Sequence, residues 1–263
     1  MLTKTAKWVI TQSLLLEIIV ELENLFNKIG VDIMPIKGAY LIRSGLGDRM
    51  RTRKITDIDI LVKPKDLEVT TDALSKISNC KLIKHYKDNS RPTESIFEYS
   101  LNDFKFTVEI MSIINSEDRF LLPAEKLFDR GELQGKTLYF PSSEDALLIM
   151  ICHLQSHIPF EFRDTNFDEI KVFTEVEDFN WDNFWKYANY TGMGAFNYFI
   201  LKLYNRETNS NIKFSKRYIY SDLLLRFFTL KRYYKMSELM RRLFLDLPFV
   251  RKPIRLVKRK ILA

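Results

Sequence analysis

The chain has 263 residues, 46% hydrophobic and 29% charged, with a formal charge of +7, which is enough apolar material for a substantial core and a length that allows one large domain or two small ones. No apolar run reaches the roughly 18 to 20 residues of a membrane span, and Met1-Leu2-Thr3-Lys4 leads into a helical pattern carrying Glu17, Glu21 and Glu23 instead of a cleavage site. Cys80 and Cys152 are too few for a disulfide framework and lack zinc-ligand spacing, so the expectation is a cytoplasmic chain whose cysteines are small buried hydrophobes.

In chain order, Trp8, Ile10, Leu14, Leu15, Ile18, Ile19, Leu22, Leu25 and Phe26 recur with a period of about 3.6 and predict a leading helix over 8–28, stopped by Gly30. Residues 31–36 read as a short strand that runs into Lys37-Gly38, with Ala39-Tyr40-Leu41-Ile42 opening a short helix. A loop with Gly45, Gly47 and the basic group Arg49, Arg51, Arg53 and Lys54 leads to a strand at Asp57-Ile58-Asp59-Ile60-Leu61-Val62, which Pro64 breaks. Residues 66–77 predict a helix opened by Asp66 as an acidic cap. Strands follow near 82–86, 95–99 and 103–111, then a hairpin over 131–140 that turns at Gln134-Gly135. From Ser143 the pattern is helical, over 145–156, 180–190, 194–203 and 221–244, with polar segments between. The change from alternating helix and strand to helix alone predicts two domains, 1–142 and 143–263.

The Asp57 strand is the segment richest in chemical implication. Residues i and i+2 of a strand point to one face, about 6 to 7 Å apart, so Asp57 and Asp59 repel each other within an apolar, β-branched run. A divalent metal would turn that repulsion into coordination, Mg²⁺ being satisfied by one or two carboxylates plus phosphate oxygens. A surface strand with two solvated aspartates would carry the same pattern, so context must decide.

Context comes from two further stretches. In Phe104-Lys105-Phe106-Thr107-Val108-Glu109-Ile110-Met111 the apolar residues alternate onto one face and leave Glu109 on the other. It is a third acid of the kind two-metal phosphoryl transfer requires, with metals roughly 3.5 to 4 Å apart. Upstream, Lys37-Gly38 stands at a strand-to-helix junction where a glycine permits close backbone approach, free N–H groups face a phosphate and a lysine adds a point charge. Arg53, four residues before Asp57, suits a phosphate or an acid. Taken singly, Lys37 and Gly38 read more readily as structural residues, and Arg53 as a solvated loop residue.

The order of strand, Lys-Gly, helix, Arg, Asp-x-Asp strand, helix, strands and Glu resembles the polymerase-β-type nucleotidyltransferase superfamily. It is more closely similar to its bacterial family of uncharacterised nucleotidyltransferase-like proteins, in which Lys-Gly replaces the usual Gly-Ser. The resemblance rests on residues 35–41, 53–62 and 107–110, and on Phe140-Pro141-Ser142-Ser143-Glu144-Asp145-Ala146-Leu147-Leu148 running to His153 and His157. It implies an α+β fold, a mixed sheet flanked by helices and followed by an all-helical C-terminal region. It implies Asp57, Asp59 and Glu109 as catalytic metal ligands for Mg²⁺ or Mn²⁺, and Lys37, Gly38 and Arg53 at the phosphates of an NTP donor. The activity implied is transfer of a nucleoside monophosphate to an unidentified acceptor, a small molecule, glycan or protein.

Other classes have their own signals. A lapsed enzyme that still binds nucleotide, or acts as an interaction module, would keep the same fold. The positive charge suits an anionic partner, but Phe227, Phe228, Tyr233 and Tyr234 fall among Leu and Met at helical spacing and read as core, against a nucleic-acid binder. Arg251, Lys252, Arg255, Lys258, Arg259 and Lys260 interleave with Val250, Ile254, Val257 and Ile261 as a basic amphipathic helix. It suits peripheral contact with an anionic membrane, although a solvated outer helix is the preferred reading. His153 and His157, four apart, read as packing or pocket residues because no H-E-x-x-H pattern accompanies them.

Overall fold

The apolar stripe of the N-terminal segment forms helix α1 (Lys4–Ile29), and Gly30 ends it at φ +69°, a left-handed conformation that glycine adopts without a Cβ penalty. The computed structural model describes residues 4–47, 55–88, 91–102, 104–116, 120–156, 160–161, 164–212, 214 and 235–236. Arg53 and its basic neighbours, His157, the helix expected over 221–244 with its aromatics, and the basic tail lie outside the described residues.

After α1 come β1 (Ile33–Ile36), α2 (Lys37–Arg43), β2 (Asp57–Val62), α3 (Leu67–Leu74), β3 (Cys80–Asp88), β4 (Arg91–Leu101) and β5 (Phe104–Met111). The five strands form one mixed sheet in the order β1-β2-β5-β4-β3. β2 and β5 run parallel and the other neighbours antiparallel. The fold is α+β, with helices flanking this sheet and a helical C-terminal region.

Strand alternation divides the sheet chemically. Ile58, Ile60 and Val62 of β2, Phe106, Val108 and Ile110 of β5, and Phe97 and Tyr99 of β4 are all buried, in one core with Leu15, Ile18, Leu22 and Phe26 of α1 and Leu67 and Leu74 of α3. Each such aliphatic or aromatic side chain contributes about 1.5 to 3 kcal/mol on burial. The residues between them, Asp57, Asp59, Thr107, Glu109, Glu94, Ile96 and Glu98, therefore fall on the other face. Polar contacts fix the helices: the Tyr99 hydroxyl donates to Glu21 of α1, Arg43 of α2 donates to Glu23 at 2.6 Å, and Thr71 of α3 shares a 2.7 Å hydrogen bond with Ser95 of β4.

α3 corrects the expectation of an acidic cap. A 3-10 turn, Pro64–Asp66, precedes it, and the Asp66 side chain caps nothing. Instead the Asp66 carbonyl accepts a 2.6 Å hydrogen bond from the Thr70 hydroxyl, and the helix begins at Leu67.

The chain continues through β6 (Ile113–Ser116), β7 (Phe120–Pro123), α4 (Ala124–Phe128), the antiparallel pair β8 (Glu132–Leu133) and β9 (Tyr139–Phe140), α5 (Ser143–Ser156), β10 (Phe160–Glu161), α6 (Asp164–Thr174), α7 (Trp181–Tyr190), α8 (Gly194–Thr208) and β11 (Lys235–Met236). It folds as two compact units, Met1–Ile114 with Pro123–Ser142, and Asn115–Leu122 with Ser143–Ala263. In the second, Leu147, Ile151 and Cys152 of α5, Phe173 of α6, Phe184 of α7 and Phe199 and Leu203 of α8 are buried. Asn180 caps α7, accepting from the Asn183 N–H at 3.0 Å, and its own N–H donates to Glu144 at 2.5 Å. Both cysteines are buried and unpaired, and burial pushes the Cys80 thiol up to about 11. Among the described residues no helix is long and apolar enough to cross a membrane.

Candidate active site

Register brings the acids of two distant segments together. Asp59 stands opposite Glu109 across the parallel β2–β5 pair, and Asp57 opposite Thr107. On its other side Asp59 faces Ile36, the last residue of β1, so the next residue, Lys37, starts beside it. Lys37 takes φ +51°, a left-handed backbone that a long L side chain rarely adopts. From that turn its Nζ donates to Asp59 Oδ1 at 2.6 Å. The two side chains are 12% and 1% exposed, so this is a charge-assisted hydrogen bond shielded from water.

The electrostatics follow from the crowding. Burial alone would lower the Lys37 ammonium, but the charge and hydrogen bond of Asp59, with Glu109 and Asp57 behind it, hold it above its ordinary value. Burial pushes the Glu109 carboxyl up to about 7, and the adjacent Asp59 charge adds to the effect while Lys37 opposes it. The face carries more negative charge than one ammonium neutralises.

Gly38 has a packing reason to be glycine. A Cβ there would lie 2.7 Å from Ile55 Cγ2, a branch carbon that moves only if the whole buried Ile55 side chain turns about χ1. The glycine thus lets α2 close down on the segment leading into β2.

Glu94 is a fourth acid of this face, one that sequence reasoning did not single out. It lies on β4 opposite Met111, two residues from Ile96, the partner of Glu109. Burial raises its carboxyl, Asp59 adds to the rise and Lys37 counters it. The period-2 alternation about the buried Phe97 and Tyr99 was the available signal. It becomes specific only when β4 is known to pair with β5.

The acids of this face offer carboxylate oxygens, a donor set that suits a hard divalent cation such as Mg²⁺ or Mn²⁺ better than zinc or copper. The burial and the Asp59 charge that raise the Glu109 carboxyl are what such an ion would offset. Among the described residues no three His, Cys, Asp or Glu side chains are drawn together closely enough to close on a metal, and Lys37 holds Asp59. His153 is half-buried in α5 of the other unit.

The uncharacterised nucleotidyltransferase family matches residues 1–208. The chain belongs to that family. No curated protein matches this chain. Among solved structures it is similar to that of the antibiotic-resistance factor ANT(2'')-Ia, determined in solution, with 11% identity and a TM-score of 0.44 over 76% of this chain and 100% of that one.

Proposed function

We propose that this nucleotidyltransferase transfers a nucleoside monophosphate from an NTP to a hydroxyl or phosphate oxygen of an acceptor, a small molecule, glycan or protein, with Mg²⁺ or Mn²⁺ as its ion. The observation that supports this most directly is the pairing of Asp59 with Glu109 across β2 and β5, with Asp57 on the same face and Lys37-Gly38 at its edge. In this reading Asp57, Asp59 and Glu109 hold the ion, and Lys37 and Gly38 receive the triphosphate with Arg53. When bound, the ion supplies neutralisation of the negative charge on the phosphates and the departing pyrophosphate.

The chain's own residues position and move protons. The acceptor oxygen attacks the α-phosphorus, the bond to the bridging oxygen breaks, and pyrophosphate leaves. Glu109, ionised once a cation is bound beside it, is suited to receive the proton of an attacking hydroxyl. A cytoplasmic setting, where NTP and Mg²⁺ are both abundant, suits this chemistry.

The test is nucleotide binding and pyrophosphate release with each NTP, Mg²⁺ and a panel of hydroxyl-bearing acceptors. Wild type binds NTP in a metal-dependent way, and Asp57→Asn and Asp59→Asn weaken that binding and reduce release by about a hundred-fold or more, as expected when charge stabilisation of the transition state is lost. No binding of any NTP by wild type, with both variants indistinguishable from it, rejects the reading. The Lys37–Asp59 pair, which occupies a ligand carboxylate with a fixed cation, favours one second reading: a nucleotide-binding module whose chemistry has lapsed. Metal-dependent binding without pyrophosphate release for any acceptor would select it.

A further inference from the structure

We infer that Lys37 is a resident stand-in for the metal: its ammonium neutralises Asp59 in the metal-free protein and passes to the triphosphate when metal and nucleotide arrive. This deepens the function proposed above and rests on it.

Three observations carry the inference. First, Asp59 is 1% exposed and faces a second acid, Glu109, across the strand pair. A buried carboxylate in that position needs a positive partner, and the 2.6 Å contact with Lys37 Nζ supplies one. Second, the contact is maintained from an unfavourable backbone. Lys37 sits at φ +51°, a left-handed conformation that is strained for a lysine. Strain retained at a strand-to-helix turn beside candidate ligands marks an element set for a second arrangement. Third, Lys37 is the residue before Gly38, so the cation that blocks Asp59 also belongs to the turn assigned above to the phosphates.

An ammonium and a divalent ion cannot occupy the same carboxylate oxygen. A divalent ion on Asp59 competes with the ammonium for the carboxylate and repels it from Oδ1, and a triphosphate offers the displaced cation a new anion. Lys37 opposes metal binding alone and supports nucleotide binding once metal is present. An ordinary structural lysine would support both.

Lys37→Gly and Lys37→Asn test this, because both residues accept left-handed backbone and so keep the turn. Mn²⁺ affinity is measured by calorimetry without nucleotide, and affinity for a non-hydrolysable NTP analogue is measured at saturating Mn²⁺. The expected result is opposite signs: Mn²⁺ binds the variants about ten-fold or more tighter than wild type, while the analogue binds them about ten-fold or more weaker, each change corresponding to one charge-assisted hydrogen bond. Lys37→Arg, which keeps the cation, stays near wild type in Mn²⁺ affinity. Unchanged or weaker Mn²⁺ binding in both neutral variants overturns the stand-in role while leaving the nucleotidyl-transfer reading intact. Tighter Mn²⁺ with unchanged analogue affinity overturns the handover. A wild type that binds neither Mn²⁺ nor the analogue rejects this inference and the functional reading together.

Discussion

At Asp59 a lysine and a glutamate act on one buried carboxylate, and the glutamate registers the outcome. Burial and the Asp59 charge push Glu109 from an ordinary 4.5 up to about 7. The folded metal-free protein therefore holds this proton more tightly than the unfolded chain does. The resulting stability is complete below pH of about 4.5 and is lost as pH rises through about 7. Urea unfolding of the metal-free protein should show roughly 1–2 kcal/mol less stability at about pH 8 than at about pH 5 from this residue. Glu109→Gln, which cannot ionise, should remove that part of the slope. If the variant keeps the full slope, the titration belongs to another group. The same measurement with Mn²⁺ present should flatten the wild-type slope, because a bound cation favours the ionised carboxylate.

At the scale of elements, the site depends on how closely α2 approaches the segment entering β2. Gly38→Ala places a methyl 2.7 Å from Ile55 Cγ2, and overpacking of this kind costs about 1–3 kcal/mol. Ile55→Ala leaves a cavity by itself, yet it makes room for the new methyl. Thermal unfolding of the double variant should therefore show less destabilisation than the two single changes added together. Additive losses would mean that the contact with Ile55 is not what excludes a side chain at position 38. These elements differ in how legible they are in sequence. The stripe of Leu15, Ile18, Leu22 and Phe26 specifies α1, and alternation places Asp57, Asp59 and Glu109 on polar faces, because both are local periodicities. The partner of Lys37 is not local: its Nζ reaches Asp59 only because Ile36 pairs with Asp59 across β1 and β2. Glu94 escaped for the same reason, its meaning depending on the order β2-β5-β4. α6 read as a polar link because Ile170 and Phe173 are embedded among Asp168, Glu169 and Lys171, although both apolar residues are buried.

At the scale of the whole molecule, the charge of +7 conceals a division. Residues 209–263 hold 15 of the 41 Lys and Arg and only 3 of the 34 Asp and Glu, a net +12, which leaves −5 on the residues 1–208 that the family matches. The part that carries the candidate site is therefore acidic overall, and attraction for anionic surfaces or polymers belongs to the residues beyond the family match. Two kinds of anion binding should then separate. Nucleotide binding should depend on metal and survive changes in the tail. If the tail makes the peripheral membrane contact that its pattern also suits, association with phosphatidylserine vesicles should depend on it and fade as salt shortens the Debye length. Replacing Arg255, Lys258, Arg259 and Lys260 by Gln in the full chain should weaken vesicle sedimentation by up to about a thousand-fold at low salt, at about 1 kcal/mol per basic residue near such a surface. Affinity for the NTP analogue at saturating Mn²⁺ should stay at the wild-type value. Equal sedimentation of the two proteins would place the anion-binding surface elsewhere, and a parallel loss of nucleotide affinity would mean that the tail takes part in the site. A DNA or RNA titration separates the remaining alternative. A slope of log affinity against log salt near zero excludes counterion release and with it nucleic acid as the partner of these charges.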